Sequence, residues 1–453
     1  MLCVKKQSRV ILVPMLSLVL FFLFLARPSF VEAQTLTAEQ RATLQAEYDQ
    51  LQTEIAQWQK VLDETKTKKN TLTGDVTTLD AQIKKAQKEI QQRNITITTI
   101  GSEITQKTAA IKTLEQRIVA NKESLAELIR KKNEVESRSF ALLVLSAGSL
   151  SNFFGDVEDI DTINGELQDL FATLRQIKSV AQNDKEVLDA KKNAELDARH
   201  SVEVKQGQIK DNQAEKKKLL EVAKKDERAY GVVLADRQKR ATEIRNALFA
   251  LRDSAGISFE AALAYSNAAQ AATGVRAAFI LGILRQESNL GTNVGQCYLT
   301  DPKTGTGVGK NTGRVFQNTM HPTRDVPPFL ALMERLGGDP YKQVVSCPQS
   351  IGYGGAMGPS QFIASTWKIY EEKLAIALGV AIADPWRASD AVMATALFMK
   401  DLGAGAQTYS AEREAAARYY AGGNWQKNGL GYAASVLAFA DAYQKDINFL
   451  NNN

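Results

Sequence analysis

Cysteine, histidine and proline are scarce in this chain of 453 residues, and each shortage excludes a class of structure or chemistry. The two histidines, His200 and His321, stand too far apart in the sequence to supply a zinc site of the usual ligand density. No proline occurs between Pro28 and Pro302, so nothing in that stretch forces a helix to break. Charged residues make up 24% of the chain and carry both signs, which argues against a nucleic-acid partner. The sequence therefore predicts no metal, no cofactor and no nucleic acid.

The N-terminal residues are typical of a secretory signal. Basic residues precede an apolar run from Val10 to about Ala26, and Val31–Ala33 offers the small residues that a signal peptidase reads. Residues 1–33 are therefore expected to be a signal peptide, with an uncleaved membrane anchor as the alternative. Cys3 precedes the apolar run, whereas a lipoprotein cysteine follows it, so lipidation is not expected.

Cleavage of the signal would leave two cysteines, Cys297 and Cys347, in an oxidising compartment. An even pair there is expected to form a disulfide that closes a loop of about 50 residues. A catalytic thiol is the alternative, but neither cysteine stands in the sequence setting of a papain-like nucleophile.

A heptad repeat of apolar residues runs from Leu44 to Leu128. A strict 3.5-residue period held over this length is typical of a coiled coil, because one buried globular helix would drift out of register with the seam. The seam includes Ile55, Leu62, Leu72, Leu79, Ile83, Ile90, Ile97, Ile104, Ile111, Ile118 and Leu125.

The partner of this helix is expected in the same chain. A second charged, proline-free stretch runs from about Asp159 to Asp253, with a ragged seam around Glu195–Lys218. Each arm would be roughly 140–150 Å long at 1.5 Å per residue. Two arms of matched length with a short joint fold most simply as an antiparallel hairpin, here over residues 37–255. A spacer or a dimerising rod is the alternative.

The joint between the arms, residues 139–157, is apolar for a turn between charged helices. Exposed apolar groups at a tip typically mark a contact site, although they can also fold back and cap the hairpin. Leu150, Phe153 and Phe154 are the candidates for such a contact. With Val157 they make the tip similar to the helical hairpin of division-associated cell-wall hydrolases and their activators. That resemblance implies docking to an ABC-transporter-like membrane division complex.

Composition changes after Gly256, where alanine, glycine and aromatic residues rise and the lysine and glutamate runs stop. Residues 256–453 are long enough to bury one core. Strand signals are nearly absent, and residues 292–353 are interpreted as a long loop insertion with a short helix near Phe329–Leu336. Apolar residues recur at helical spacing in Phe259–Ala271, Val275–Leu284, Gln361–Leu378, Ala388–Leu402, Ala411–Tyr420 and Ala433–Ile447.

Three motifs of this region indicate a saccharide site. The apolar helix Val275–Asn289 carries Glu287 near its end, where partial desolvation raises a carboxyl pKa toward the range of a general acid. Gly354–Trp367 combines glycines with aromatic rings and an amide, and Arg418–Trp425 adds more rings. Flat rings with amide donors suit a sugar polymer. Taken singly, each motif is also explained by a solvated glutamate or a structural turn.

Together the three motifs resemble the lysozyme-like domain of lytic transglycosylases of the membrane-bound type B branch, over about residues 258–447. The resemblance implies that this domain is lysozyme-like and mainly helical. With the hairpin that the heptad repeat predicts, the expected fold is an all-α chain in which a long antiparallel coiled-coil hairpin precedes that domain. The resemblance also implies action on peptidoglycan glycan strands at the cell wall, in the periplasm or outside the cell. A non-catalytic wall-binding protein or hydrolase activator is the alternative.

The resemblance further implies that Glu287 is the single catalytic acid and base, with a 1,6-anhydro sugar as product. A two-carboxylate hydrolase would need a second acid, for which Asp384 and Asp390 are candidates, although Asp384 before Pro385 is more typical of a helix-starting turn. Tyr420 departs from the family, which often has asparagine there. The implied substrate contacts are Ser288, Met357, Gln361, Phe362, Tyr419 and Tyr420.

Overall fold

The computed structural model describes residues 36–65, 71–136, 150–223, 231–233, 235–236, 238–239, 256–349 and 352–452. The predicted signal segment lies outside these residues, as do residues 139–149 of the predicted tip. At residues 134–136 and 150–161 the structure describes the helical backbone and not the side chains. The described residues form two compact units, the first built from Gly101–Leu188 with residues up to Arg41, and the second from Ala42–Ile100 with Asp189 onward.

Among the described residues, the N-terminal half of the chain forms three long helices: α1 Ala38–Thr65, α2 Leu72–Glu136 and α3 Leu150–Ala223. In the second unit, α2 and α3 run antiparallel, because Asp80 pairs with Lys216 at 2.5 Å and Glu89 pairs with Lys205 at 2.7 Å. The predicted antiparallel hairpin is thus confirmed. Buried apolar side chains form its seam, which includes Leu79, Ile83, Ala86 and Leu219 in the second unit and Ile111, Leu167, Leu174 and Ile177 in the first.

The first arm is two helices, not the one continuous helix that the heptad pattern predicts. In the second unit, α1 runs antiparallel to α2, because Glu54 pairs with Lys88 at 2.6 Å and Lys85 donates to Gln59 at 2.7 Å. A helix start that the apolar pattern does not show explains the difference. The hydroxyl of Thr71 accepts the amide of residue 74 at 3.1 Å, which satisfies one of the free donors of the first turn of α2.

The globular region is mainly helical, which confirms the predicted fold class. Its helices are α4 Phe259–Thr273, α5 Ala277–Ser288, α6 Val326–Leu336, α7 Ala364–Leu378, α8 Ala388–Asp401, α9 Tyr409–Ala421, α10 Trp425–Asn428 and α11 Leu430–Asn452. Each of the six predicted helical segments overlaps one of these helices, and α6 contains the short helix predicted inside the insertion.

Helix α5 is the centre of the core, since every residue from Ala277 to Leu284 is buried. It packs against α11 at Gly282. A β-carbon built at Gly282 would lie 2.6 Å from the carbonyl oxygen of Val436 and 3.2 Å from the nitrogen of Ala440, so any larger residue would force the two helices apart.

The insertion contains a small antiparallel sheet, so the prediction of a long loop there is wrong in part. Strands β1 Cys297–Asp301, β2 Thr306–Gly309 and β3 Val315–Phe316 pair in the order β1-β2-β3. The strands escape detection because they are short and rich in glycine and threonine, which gives no apolar alternation. The expected disulfide is present: Cys297 at the start of β1 is bonded to Cys347, with their α-carbons 5.1 Å apart.

Among the described residues, no helix combines the length and apolar character needed to cross a membrane. The apolar run from Val10 to Ala26 is not among them, and its role as signal or anchor stays a prediction.

Removing the disulfide is expected to lower the free energy of unfolding. The bond closes a loop with a sequence separation of 50, for which loop entropy gives about 4 kcal/mol. Urea denaturation of a Cys297→Ser, Cys347→Ser double variant should therefore show a lower midpoint than the oxidised wild type. Reductant should destabilise the wild type and leave the double variant unchanged, and equal midpoints for all samples would contradict the prediction.

Candidate active site

Glu287 lies in the last turn of α5, at the exposed end of an otherwise buried helix. The helix ends there because Asn289 adopts the left-handed conformation, with φ of 51°, and its amide bonds back to the carbonyl of Arg285 at 3.1 Å. The side chain of Glu287 is therefore fixed to the core through its own helix and presented at a surface.

Burial raises the pKa of Glu287 from an ordinary value of 4.5 to about 7, because the charged carboxylate loses hydration. The hydroxyl of Tyr432, at the start of α11, donates a hydrogen bond to Oε1 of Glu287. That bond favours the charged form and lowers the pKa, but the desolvation is the larger effect. A carboxyl whose pKa lies near 7 is suited both to donate and to accept a proton at neutral pH.

A stack of tyrosines surrounds this carboxyl. The rings of Tyr420 and Tyr432 are stacked with centroids 4.9 Å apart and 13° between their planes. Tyr419 lies 6.2 Å from Tyr432, and its hydroxyl donates to the carbonyl of Ser360 at 2.8 Å. Burial and the nearby Glu287 both raise the pKa of Tyr432 well above its usual range, so its hydroxyl keeps its proton.

The glycine-rich segment before α7 forms the opposite wall. Gly358 has φ of 63°, and a β-carbon there would lie 1.8 Å from the carbonyl oxygen of Pro385, so only glycine fits. Gln361 also has a positive φ of 53°, and its Nε2 donates to the carbonyl of Gly358 at 2.7 Å. The hydroxyl of Ser288 donates to the carbonyl of Pro359 at 2.5 Å, which ties this wall to the end of α5.

A cleft of about 390 Å³ opens over Glu287. Its walls are rich in side-chain amides and tyrosine, and Glu287 is the one acidic side chain that lines it among the described residues. The lining residues are Gln286, Glu287, Asn293, Gly295, Gln296, Ser346, Cys347, Gln349, Gln361, Tyr420 and Tyr432.

A second cavity, of about 520 Å³, adjoins the cleft at Gln349, which lines both. Arg314 and Phe316 of the β3 region line it, and the guanidinium of Arg314 lies over the ring of Phe316 at 5.1 Å from its centroid. The insertion therefore adds a cation, a ring and further amides beside the cleft.

The predicted site residues divide into those that line the cleft and those that support it. Glu287, Gln361 and Tyr420 line the cleft, while Tyr419 bonds to the wall behind it. Three residues are instead buried, with exposed fractions of 1%, 1% and 3%: Ser288, Met357 and Phe362. Phe362 packs among aromatic rings of the core, including Trp367 at 5.8 Å.

The two candidates for a second carboxylate do not line the cleft. Asp390 is 1% exposed and accepts the amide of Asp384 at 2.9 Å, and Asp384 accepts the amide of Trp386 at 2.9 Å. Both acids therefore cap the turn before α8. The described residues contain no group of three or more side chains that could hold a metal ion, and the absence of a cofactor stays a prediction.

Tyr432 is the main residue that sequence reasoning misses. It follows Glu287 by 145 positions and lies just before the predicted helix Ala433–Ile447, in a segment without any recognised motif. The local sequence offers no signal for it, since its role arises from the packing of α11 on α5. The amides of Gln296 and Gln349 were missed because they lie in the insertion, whose fold was not predicted.

No family model and no curated protein matches this chain. Among solved structures, similarity is found to a 36 kDa muramidase/transglycosylase at 21% identity and to the Escherichia coli lytic transglycosylase Slt35 in complex with bulgecin A at 20% identity. Each comparison covers 42% of this chain and 58% of the other, with a TM-score of 0.24. Similarity at this level does not identify the activity or the ligand of this chain.

The raised pKa of Glu287 predicts a pH-dependent loss of stability. Below the unfolded value of 4.5 the carboxyl is protonated in both states, and as the pH rises through about 7 the unfolded state ionises first. The free energy of unfolding of the wild type should therefore fall by on the order of 3 kcal/mol between pH 4.5 and about 7. In urea titrations at several pH values, Glu287→Gln should gain stability relative to wild type between pH 4.5 and 7. A difference that is constant with pH would show that the pKa is not raised.

Proposed function

We propose that this protein is a peptidoglycan lytic transglycosylase whose single catalytic acid and base is Glu287. One observation carries the proposal: a desolvated carboxyl with a pKa of about 7, hydrogen-bonded by Tyr432, is the one acidic side chain among the described residues that line a cleft rich in amides and tyrosine. The sequence motifs around Glu287, Gly358 and Tyr419 support it, since they resemble the lysozyme-like domain of that family.

The proposed reaction uses one carboxyl for two proton transfers. Protonated Glu287 donates its proton to the glycosidic oxygen between N-acetylmuramic acid and N-acetylglucosamine as the bond to C1 breaks. The resulting carboxylate then takes the proton of the muramyl 6-hydroxyl while that oxygen bonds to C1. The product is a 1,6-anhydro end and no water is consumed, so Glu287 ends protonated as it began. Tyr432 orients the carboxyl throughout and stabilises the anion formed between the two transfers.

The cleft walls suit such a glycan. Tyr420 is 64% exposed and offers a ring face on which a pyranose can stack. The amides of Gln296, Gln349 and Gln361 can donate to and accept from hydroxyl and acetamido groups. We further propose that the adjoining cavity holds the continuation of the same strand, with Arg314 facing an acidic substituent such as a lactyl or peptide carboxylate.

Glu287→Gln should abolish release of soluble muropeptides from sacculi while binding to sacculi persists, because the amide keeps the shape of the side chain but cannot donate the proton. Loss of the acid should lower turnover by at least about 10²-fold. Glu372→Gln, which neutralises an exposed acid of α7, is the matched control and should cleave like wild type.

Mass spectrometry of the released products separates the candidate functions. Terminal 1,6-anhydromuramic ends support intramolecular attack, whereas reducing ends would mean attack by water and would contradict the transglycosylase proposal. If wild type binds sacculi but releases nothing, the non-catalytic wall-binding alternative holds. Cleavage by Glu287→Gln at the wild-type rate would exclude Glu287 as the acid.

The role of the hairpin is a separate proposal that rests on the sequence of residues 139–157. We propose that its tip docks to an ABC-transporter-like membrane division complex and that this docking positions or regulates the enzyme. Leu150, Phe153 and Phe154 occupy the first turns of α3, and they supply the apolar groups for the contact.

Replacing Leu150, Phe153 and Phe154 with serine should weaken binding to the extracytoplasmic part of such a complex by at least about 10-fold, as expected when apolar anchors are lost. Binding can be measured by crosslinking and by titration with the purified complex. Phe171→Ser, which removes a 45% exposed ring from the same helix, should bind like wild type. Equal binding by the triple variant and the control would contradict the docking proposal and indicate that the hairpin acts as a spacer.

A further inference from the structure

A carboxylate of the coiled coil binds the start of a helix in the globular region. Asp197 of α3 accepts the backbone amide of Ser410 through Oδ1 at 2.6 Å and the hydroxyl of the same residue through Oδ2 at 2.9 Å. Ser410 lies in the first turn of α9, where the amides have no partner inside the helix. A carboxylate at this position satisfies one of these donors and lies at the positive end of the helix dipole.

The contact extends over one turn of α3. The ring of His200 is stacked on Tyr409 of α9 with centroids 4.1 Å apart and 19° between the planes. The same ring lies 3.9 Å from the carboxylate of Asp441 on α11. The other charged groups at this junction are Glu203 of α3, 3.9 Å from His200, and the ion pair of Arg276 with buried Glu412, at 2.7 Å. Asp197 and His200 of α3 therefore contact α9, and His200 also lies beside Asp441 of α11.

These two helices also carry the tyrosine stack at Glu287. Tyr420 is near the end of α9 and Tyr432 is near the start of α11, and their rings are the stacked pair beside the carboxyl. No residue of α3 is among the described residues that line the cleft. The contacts of Asp197 and His200 with the globular region lie instead on α9 and α11.

We propose that Asp197 is a positioning residue of the active site: by holding the start of α9, with His200 beside it, the coiled coil fixes the Tyr420–Tyr432 stack and thereby the hydrogen bond from Tyr432 to Glu287. The effect of this positioning on catalysis rests on the proposed function of Glu287. The geometry itself does not depend on which reaction Glu287 performs.

The test measures the ionisation of Glu287 in the full mature chain by carbon-13 NMR of labelled glutamate, with the signal assigned by its loss in Glu287→Gln. Tyr432→Phe should raise the pKa of Glu287, because the hydrogen bond that favours the charged form is lost. Asp197→Ala should shift the pKa in the same direction by a smaller amount. It should add no shift in the Tyr432→Phe background, because both changes act through one bond.

Asp211→Ala is the matched control, since it removes an exposed acid from the same helix, and it should leave the pKa unchanged. Amide exchange at Ser410 should accelerate in Asp197→Ala and not in Asp211→Ala. Should Asp197→Ala fail to fold, Asp197→Asn keeps one acceptor and gives the same comparison with a smaller shift.

An unchanged pKa of Glu287 in folded Asp197→Ala would overturn the proposal. So would a shift caused by Asp197→Ala that is equally large with and without the Tyr432 hydroxyl, because the contact would then be purely structural. If wild type does not cleave sacculi but the pKa shifts as expected, the positioning role stands and the proposed reaction fails. The two conclusions are therefore tested separately.

Discussion

The close approach of α5 and α11 at Gly282 is the constraint on which the candidate site depends. The two helices touch there with no room for a β-carbon, since the carbonyl of Val436 would lie 2.6 Å away. Tyr432 is one turn before Val436 on α11, and Glu287 is little more than one turn beyond Gly282 on α5. The packing that closes the core thus also brings the phenol to the carboxyl. A larger residue at position 282 would move the helices apart and change the electrostatics of Glu287 without touching it.

Two opposing effects act on that carboxyl, and their balance sets its chemistry. Burial at the end of α5 removes hydration and raises the pKa, while the bond from Tyr432 lowers it, and the result is about 7. With neither effect, the carboxyl would be ionised at neutral pH and unable to donate a proton. With burial alone, its pKa would be higher still, and the carboxyl would be a weaker acid that gives up its proton less readily. The hydrogen bond therefore matters for the first half of the proposed reaction, in which Glu287 donates its proton, whereas burial of the carboxyl lowers the stability of the folded protein at neutral pH.

Much of the fold could be predicted from the sequence because its signals are local and periodic. The heptad seam predicts helix in the regions of α1 and α2, and six apolar segments predict helices of the globular region. The pattern does not predict that α1 and α2 are two antiparallel helices, because an apolar period does not report whether one helix continues or two helices share its phase. The capping hydroxyl of Thr71 decides that question locally. The sheet of the insertion failed for a different reason, since its strands have 5, 4 and 2 residues and are too short for a period.

The site was predictable only in the part that neighbouring residues encode. Glu287 and Gln361 could be found from their motifs, because the residues that form a helix end or a glycine-rich turn are consecutive in the sequence. Whether a motif residue faces the cleft could not be read in the same way: Phe362 follows Gln361 directly, yet its ring packs into the core. Tyr432 could not be found at all, because its contact joins positions 145 apart through packing alone.

The contact of Asp197 with Ser410 leaves even less local signal in the sequence, because the two residues are 213 positions apart. Composition changes sharply after Gly256, and on that ground the coiled coil and the globular region are separate parts. The compact unit that contains the globular region nevertheless begins again at Asp189, within the second arm. By its contacts, the part of the second arm from Asp189 onward therefore groups with the globular region that contains Glu287, although its composition does not. Two of the contacts that join α3 to the globular region, the carboxylate of Asp197 on Ser410 and the ring of His200 on Tyr409, lie on α9 and outside the cleft.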